Sequence, residues 1–216
     1  MTEKRPSLCV LIPCYLTVPV LAYQKIITFM ATVARYYDAG VSTSSSCYLF
    51  ENRNMLVKRF ADTDSERHWD YVLWLDSDIV FTIDDVLLLQ KALDEGRDLV
   101  TGVYFNNFGN DLAPMVMHKD DTGNFRGVVV SELLKGKIFP VDSAGFGFVM
   151  MKGDVMRKMI ENNPLALKHR VFKYRENDKG ELEGEDNCFF EDAKEQGFQL
   201  YVVPMAKVGH NKQVIL

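Results

Sequence analysis

The chain has 216 residues, 47% of them hydrophobic, which suits one sizeable core. Twenty-five Lys and Arg against 30 Asp and Glu give a formal net charge of -5, which excludes a nucleic-acid binder held by a broad basic face but leaves room for a local phosphate pocket. Cys9, Cys14, Cys47 and Cys188 show no CxxC or zinc-type spacing and read as reduced thiols of a cytoplasmic protein. The apolar run near the N-terminus is broken at Pro13, too early for a signal peptide, and no stretch approaches a membrane span.

In chain order, "LCVLI" at 8–12 is a short apolar run closed by Pro13, the pattern of a buried parallel strand. A helical pattern runs from Val20 to Tyr37, ending near Gly40, and the serine-rich 41–50 is given no element. A second helix is expected over 52–61, a buried strand at "YVLWL" (71–75), and a third helix after Thr82. Thr82 is its cap, Asp84 and Asp85 lie in its first turn, and Gly96 stops it. "DLVTGVYF" follows as a strand, completing a β-α-α-β-α-β order that predicts a mainly parallel sheet flanked by helices.

The second half differs. Residues 105–142 are rich in Gly, Asn and Asp, with short alternating runs that predict hairpins and loops over one end of the sheet. Then come a strand in "GFGFVMM", a helix over 153–163, a polar stretch at 173–184, a helix over 185–197 and a strand in "FQLYVVP". The fold class is α/β: a Rossmann-like, mixed, mainly parallel sheet with a small hairpin and loop subregion. The expected organisation is a single domain, 1–104 forming one functional half and 105–216 the other, with an apolar C-terminus that suits one module of a longer protein.

"WLDSD" ends a buried strand on Asp76 and Asp78. With 18 aspartates in the chain, roughly 1.5 Asp-x-Asp matches arise by chance, and "ADTDSE" supplies a second copy, Asp62 and Asp64, in a polar stretch that reads as a solvated turn. Context separates them. The copy at 76–78 lies at the carboxyl end of a strand, where open α/β sheets bind ligands, and two carboxylates there can hold a hard cation against phosphate oxygens. The alternative is a turn whose aspartates cap the next helix. A haloacid-dehalogenase-like phosphatase also uses such a motif, but on its first strand and followed by a small residue, whereas Ile79 and Val80 follow here.

Taken with the rest of the chain, these residues resemble a GT-A nucleotide-diphospho-sugar transferase of the family that includes cellulose and chitin synthases. "VLIPCY" is similar to the family's first strand and nucleoside-cupping turn, which implies donor contacts from Pro13 and from the ring of Tyr15. "ENRNMLVKRF" resembles the Arg-Asn helix before the acidic strand and implies that Arg53 meets the diphosphate, with Asn54 or Lys58 beside it. A charged helix face explains the same residues. The resemblance places Ser77 with the donor. "VDSAGFGF" is similar to the acceptor-side glycine loop and implies sugar contacts from Asp142, Gly145 and Gly147. "GEDNCFFEDAKEQGF" matches the Glu-Asp helix start and implies catalytic roles for Glu185 and Asp186, the latter as base. Acidic residues in a first helical turn also complement the macrodipole. "VGHNK" resembles the C-terminal histidine that completes a metal shell, so Asp76, Asp78 and His210 are the implied ligands of Mn2+ or Mg2+, with Lys212 near the diphosphate. His68, His118 and His169 have no such context.

Two departures matter. The acidic residue that reads the nucleoside after the second strand is replaced by "VSTSSSC", and the Gln-x-x-Arg-Trp signature of processive synthases is absent. The resemblance therefore implies transfer of one sugar from a nucleotide-diphosphate donor, UDP by family habit, to a glycan hydroxyl with inversion. In its compactness the chain is similar to transferase domains of large algal DNA viruses and phages. The competing functions are the phosphatase and a non-catalytic glycan-binding module.

Overall fold

The structure, a computed structural model, describes residues 4–14, 17–108, 111–163, 169–177 and 179–211. The first half builds β1 (Ser7–Cys14), α1 (Val20–Val33), β2 (Asp38–Ser45), α2 (Leu49–Arg67), β3 (Tyr71–Leu75), β4 (Ile79–Val80), α3 (Ile83–Asp94) and β5 (Leu99–Val103). Two hairpins follow, β6 (Phe105–Phe108) with β7 (Asp111–Pro114) and β8 (Val116–Lys119) with β9 (Phe125–Gly127). After α4 (Val130–Leu133), β10 (Phe139–Val141) and β11 (Ser143–Ala144) come β12 (Phe148–Lys152) and α5 (Gly153–Glu161). The chain continues through β13 (Arg175–Glu176), β14 (Leu182–Glu183), α6 (Glu185–Glu195), β15 (Leu200–Lys207) and β16 (Gly209–His210).

Seven strands form the central sheet in the order β10-β15-β5-β12-β3-β1-β2. The pairings put β1, β2, β3, β5 and β15 in one direction and β12 and β10 in the other, so the sheet is mixed and mainly parallel. The continuous apolar runs of β1 and β3 follow from burial on both faces. Leu8, Val10, Ile12, Leu73 and Leu75 pack with Phe29 and Val33 of α1 and with Val86, Leu89 and Leu93 of α3. Cys9, Leu11, Val72 and Trp74 point the other way, onto Leu56 and Phe60 of α2, Met156 of α5 and Phe189 and Phe190 of α6. No helix among the described residues is long and apolar enough to cross a membrane.

The structure corrects several local expectations. The serine-rich segment is β2, an edge strand paired with β1 over eight residues from Ser7↔Asp38 to Cys14↔Ser45. Its ladder is made of backbone, so polar side chains on an edge cost it little. The first helix ends at Val33, short of Tyr37. The second runs to Arg67 and takes "ADTDSE" inside it. Asp64 is no solvated turn residue: its carboxylate accepts the Trp69 backbone N–H at 2.9 Å and an Arg157 N–H at 2.7 Å, tying the helix end down. "DLVTGVYF" breaks at Tyr104, and "FQLYVVP" runs on past Pro204, where the register with β5 shifts between Val202 and Lys207 and no ladder N–H is asked of the proline. The polar stretch at 173–184 carries the β13–β14 hairpin. The third helix begins as expected: the Asp85 carboxylate accepts both the backbone N–H and the hydroxyl of Thr82, and Gly96 follows at φ +98°.

Candidate functional site

At the carboxyl end of β3 the chain turns through Asp76, Ser77 and Asp78, closed by the Ile79 N–H on the Asp76 carbonyl at 3.1 Å. The turn leads into β4, which pairs antiparallel with β16 in a register that sets His210 opposite Ile79. The Asn211 N–H donates to the Asp78 carbonyl at 2.9 Å. These bonds bring His210 Nε2 to 3.1 Å from Asp78 Oδ2, joining residues 132 positions apart in the chain. The Tyr104 ring stands edge-on to the imidazole at 5.2 Å.

Asp76 faces elsewhere. Both of its oxygens lie 3.4 Å from Arg53 Nη2, while Arg53 Nη1 donates to Glu185 Oε1 at 2.9 Å and to Asp186 Oδ1. Arg53 is 1% exposed and lies between the rings of Phe146 (5.2 Å) and Phe172 (5.6 Å). Trp74, Phe146, Phe172, Phe189 and Phe190 form the apolar floor beneath it, with ring centroids 4.8–5.6 Å apart. One guanidinium therefore serves three carboxylates, one from the turn after β3 and two from the first turn of α6. Burial alone would pull the Arg53 pKa down, but Asp186, Asp76 and Glu185 outweigh it and raise it.

The carboxylates carry the opposite imprint. Burial raises the Asp76 pKa, against the lowering pull of Arg53. Burial also raises Asp186, to about 6, with Arg53 resisting and Glu185 and Asp76 adding repulsion. The Asp186 side chain still keeps 27% of its surface open to solvent, enough for an incoming group to reach it. Its second oxygen accepts the Phe146 backbone N–H at 3.2 Å.

The glycine loop closes the arrangement through Tyr104. The Gly147 carbonyl accepts the Asp76 N–H at 2.9 Å, and the Gly147 N–H donates to Tyr104 Oη at 3.2 Å. A Cβ on Gly145 would stand 2.1 Å from Tyr104 Oη, and one on Gly147 would stand 3.0 Å from it. These two positions are thus empty because the phenol occupies the space. Tyr104 is a site residue that no motif marks; the Gly-x-Gly spacing across the sheet is its only trace in the sequence.

Other expected site residues lie apart. Asn54 is buried with both ends of its amide on the Phe172 backbone, at 2.8 and 2.9 Å, and faces no cleft. Lys58 is exposed and paired with Asp62. Asp142 accepts from Lys194 Nζ at 2.7 Å and from the Lys119 N–H at 2.9 Å, with His118 Nδ1 at 3.5 Å, and is not part of the Arg53 cluster. Burial works to raise its pKa, but these partners outweigh burial and hold it below the usual carboxylate range. Pro13 is buried on β1 opposite Ser44, and Ser77 is buried with its hydroxyl against the Cys14 thiol. Tyr15 and Lys212 lie outside the described residues. Among the described residues no three His, Cys, Asp or Glu side chains gather as a metal site. Asp78 and His210 meet, while Asp76 is turned to Arg53.

No protein-family model matches the chain, and no curated protein matches it by sequence. Solved structures do match. A197 from STIV superposes with a TM-score of 0.57 at 17% identity, over 97% of this chain and 96% of that one. GalNAc-T7, solved with UDP, GalNAc and Mn2+, superposes with a TM-score of 0.63 at 10% identity, over 96% of this chain. The match covers 43% of the GalNAc-T7 chain, so this protein spans less than half of that one. Likenesses at these identities show the fold: a GT-A-like α/β architecture.

Proposed function

We propose that the protein is a metal-dependent glycosyltransferase that moves one sugar from a nucleotide-diphosphate donor, a UDP-sugar, to a hydroxyl of a glycan. The carrying observation is the convergence at one end of the sheet of Asp76, Asp78, Asp186 and His210, drawn from three distant segments and organised around Arg53 and Tyr104. On this reading residues 1–104 supply the donor side and 105–216 the acceptor side.

The residues present fit a divalent cation. Asp78 Oδ2 and His210 Nε2 are a carboxylate and an imidazole 3.1 Å apart, close to the ~3 Å edge spanned by two ligands at about 2.1 Å and a right angle. An oxygen and nitrogen pair suits Mn2+ and tolerates Mg2+, and donor phosphate oxygens would fill the remaining positions. Such an ion would supply positive charge to the departing diphosphate.

The chain's own residues do the rest. Asp186, ionised at neutral pH, takes the proton of the acceptor hydroxyl. The acceptor oxygen forms its bond to the anomeric carbon as the bond from that carbon to the diphosphate breaks, the electron pair leaving with the diphosphate. A single displacement inverts the anomeric centre. Arg53 and the Phe146 N–H hold Asp186 in place, so Arg53 is a positioning residue behind the carboxylates. Glu185 shares that guanidinium and fixes its tilt. Asp76 meets the ribose or the ion through water, Tyr15 stacks on the base and Lys212 adds charge to the diphosphate, while the space at Gly145 and Gly147 is taken by the Tyr104 phenol.

The test is a thermal-shift screen of UDP-sugars with and without Mn2+, on the wild type and on Asp78→Asn. A ligand that binds only the folded state raises Tm by differential binding. The wild type should be stabilised by a UDP-sugar when Mn2+ is present, and the variant should lose that dependence. Equal shifts with and without Mn2+ in both proteins would sink the reading.

A further inference from the structure

Three aromatic rings step outward from the side of the site where Glu185 lies. The Tyr174 ring lies edge-on to Phe50 with centroids 5.4 Å apart, and Phe50 lies tilted against Tyr48 at 6.1 Å. Phe50 is half-buried, Tyr174 is 46% exposed and Tyr48 is 62% exposed. Single exposed aromatics are ordinary, but a contiguous run beginning at a functional carboxylate is a recognition feature.

Two neighbours tie the run to the carboxylate cluster. The Tyr174 phenol lies close enough to Glu185 that, after burial, the Glu185 charge raises its pKa. Phe50 sits one helical turn before Arg53 on α2, so its ring and the guanidinium share a face of the helix. Arg53 also tells the two sides of the site apart. Its Nη2 faces Asp76 and the turn after β3, and its Nη1 faces Glu185 and Asp186. Through Glu185 the rings belong to the second side, away from the Asp78–His210 pair.

A pyranose ring offers a flat face of C–H groups and an edge of hydroxyls. The first packs on an aromatic face, and the second bonds phenols and carboxylates. We propose that Tyr48, Phe50 and Tyr174 form an acceptor subsite that stacks sugar rings of an oligosaccharide and leads its terminal hydroxyl to Asp186. This rests on the transferase reading for the role of Asp186; recognition of the glycan is read out separately.

The experiment compares the wild type with Tyr48→Ala/Tyr174→Ala and with Tyr174→Phe, all checked for an unchanged Tm. Each is applied to an array of gluco-, chito-, manno- and galacto-oligosaccharides, and each is titrated with UDP plus Mn2+. The wild type should retain at least one oligosaccharide class. The double variant should lose about tenfold or more of that affinity, the loss expected from removing two aromatic contacts. Tyr174→Phe should keep most of it, and UDP affinity should be unaltered in both variants. If the double variant binds UDP more weakly, the rings serve the nucleobase and the proposal is overturned. It is likewise overturned if no oligosaccharide is retained by the wild type, or if the double variant retains it equally. A wild type that fails to bind UDP with Mn2+ removes the transferase reading alone, because the array still decides whether these rings hold sugar.

Discussion

Replacing Arg53 with Met removes the one cation shared by three carboxylates, and the structure sets the size of the effect. Arg53 is 1% exposed, with Asp76, Glu185 and Asp186 within 3.4 Å of its terminal nitrogens. Removing one partner from a buried ion cluster costs about 3–5 kcal/mol, against a total stability of roughly 5–15 kcal/mol for a domain. The Met side chain can fill the slot between Phe146 and Phe172, so the loss is electrostatic and depends on pH. Arg53 lowers the Asp186 pKa, which already stands near 6; without it the carboxyl rises further and is protonated over more of the neutral range. The destabilisation should thus be largest at pH 8 and shrink as the pH falls toward 6, because the uncompensated Asp186 of the variant takes up its proton over that range. Urea unfolding across that range measures it. If Asp186 is the base, the acid limb of kcat/KM also moves to higher pH in Arg53→Met. Arg53→Lys keeps the charge without the fork and should fall between the two. A variant that folds normally and keeps the wild-type acid limb would refute the claim that Arg53 sets the protonation of Asp186.

Gly145→Ala sets a methyl 2.1 Å from Tyr104 Oη, so the phenol must move and release the Gly147 N–H. Overpacking of this kind costs about 1–3 kcal/mol, and donor turnover should drop with it; an unchanged Tm and rate would mean the loop yields freely. Asp64→Ala should cost about 1–3 kcal/mol in chemical unfolding by stranding the Trp69 N–H and Arg157. It should leave UDP and Mn2+ binding intact, whereas Asp78→Asn should do the reverse, and calorimetric titration of both variants distinguishes the two Asp-x-Asp copies.

The fold was legible where burial on both faces forces a continuous apolar run, as in β1 and β3, and where a cap announces a helix, as Thr82 and Asp85 do for α3. It was not legible where backbone alone makes the element. β2 has polar side chains because an edge strand needs only its ladder with β1. The extent of α2 was hidden because Asp62 to Arg67 look like a turn until Trp69 and Arg157 are seen to close it. At the site, the sequence marks Asp76, Asp78, Asp186 and His210 as residue types, and the structure brings them to one end of the sheet. It could not say which way Arg53 and Asn54 face, because their partners lie more than a hundred residues away, at Asp186 and Phe172. Nor could it mark Tyr104, whose place shows only in the absence of side chains at Gly145 and Gly147.

The position of β12 decides the order in which the protein can be completed. β3 and β5 lie on either side of it, yet both are made well before it, and β12 enters between them antiparallel. Until residue 152 has left the ribosome, β3 keeps an open edge on the β2-β1-β3 sheet and β5 has neither of its neighbours, since β15 comes later still. A fragment ending at residue 104 therefore carries a bare β3 edge and an unpaired β5 that invite pairing with other chains. Neither half should be obtainable as a folded piece on its own. Mixed as two fragments, however, they could recover the sheet, because β10, β12 and β15 are supplied whole by the second.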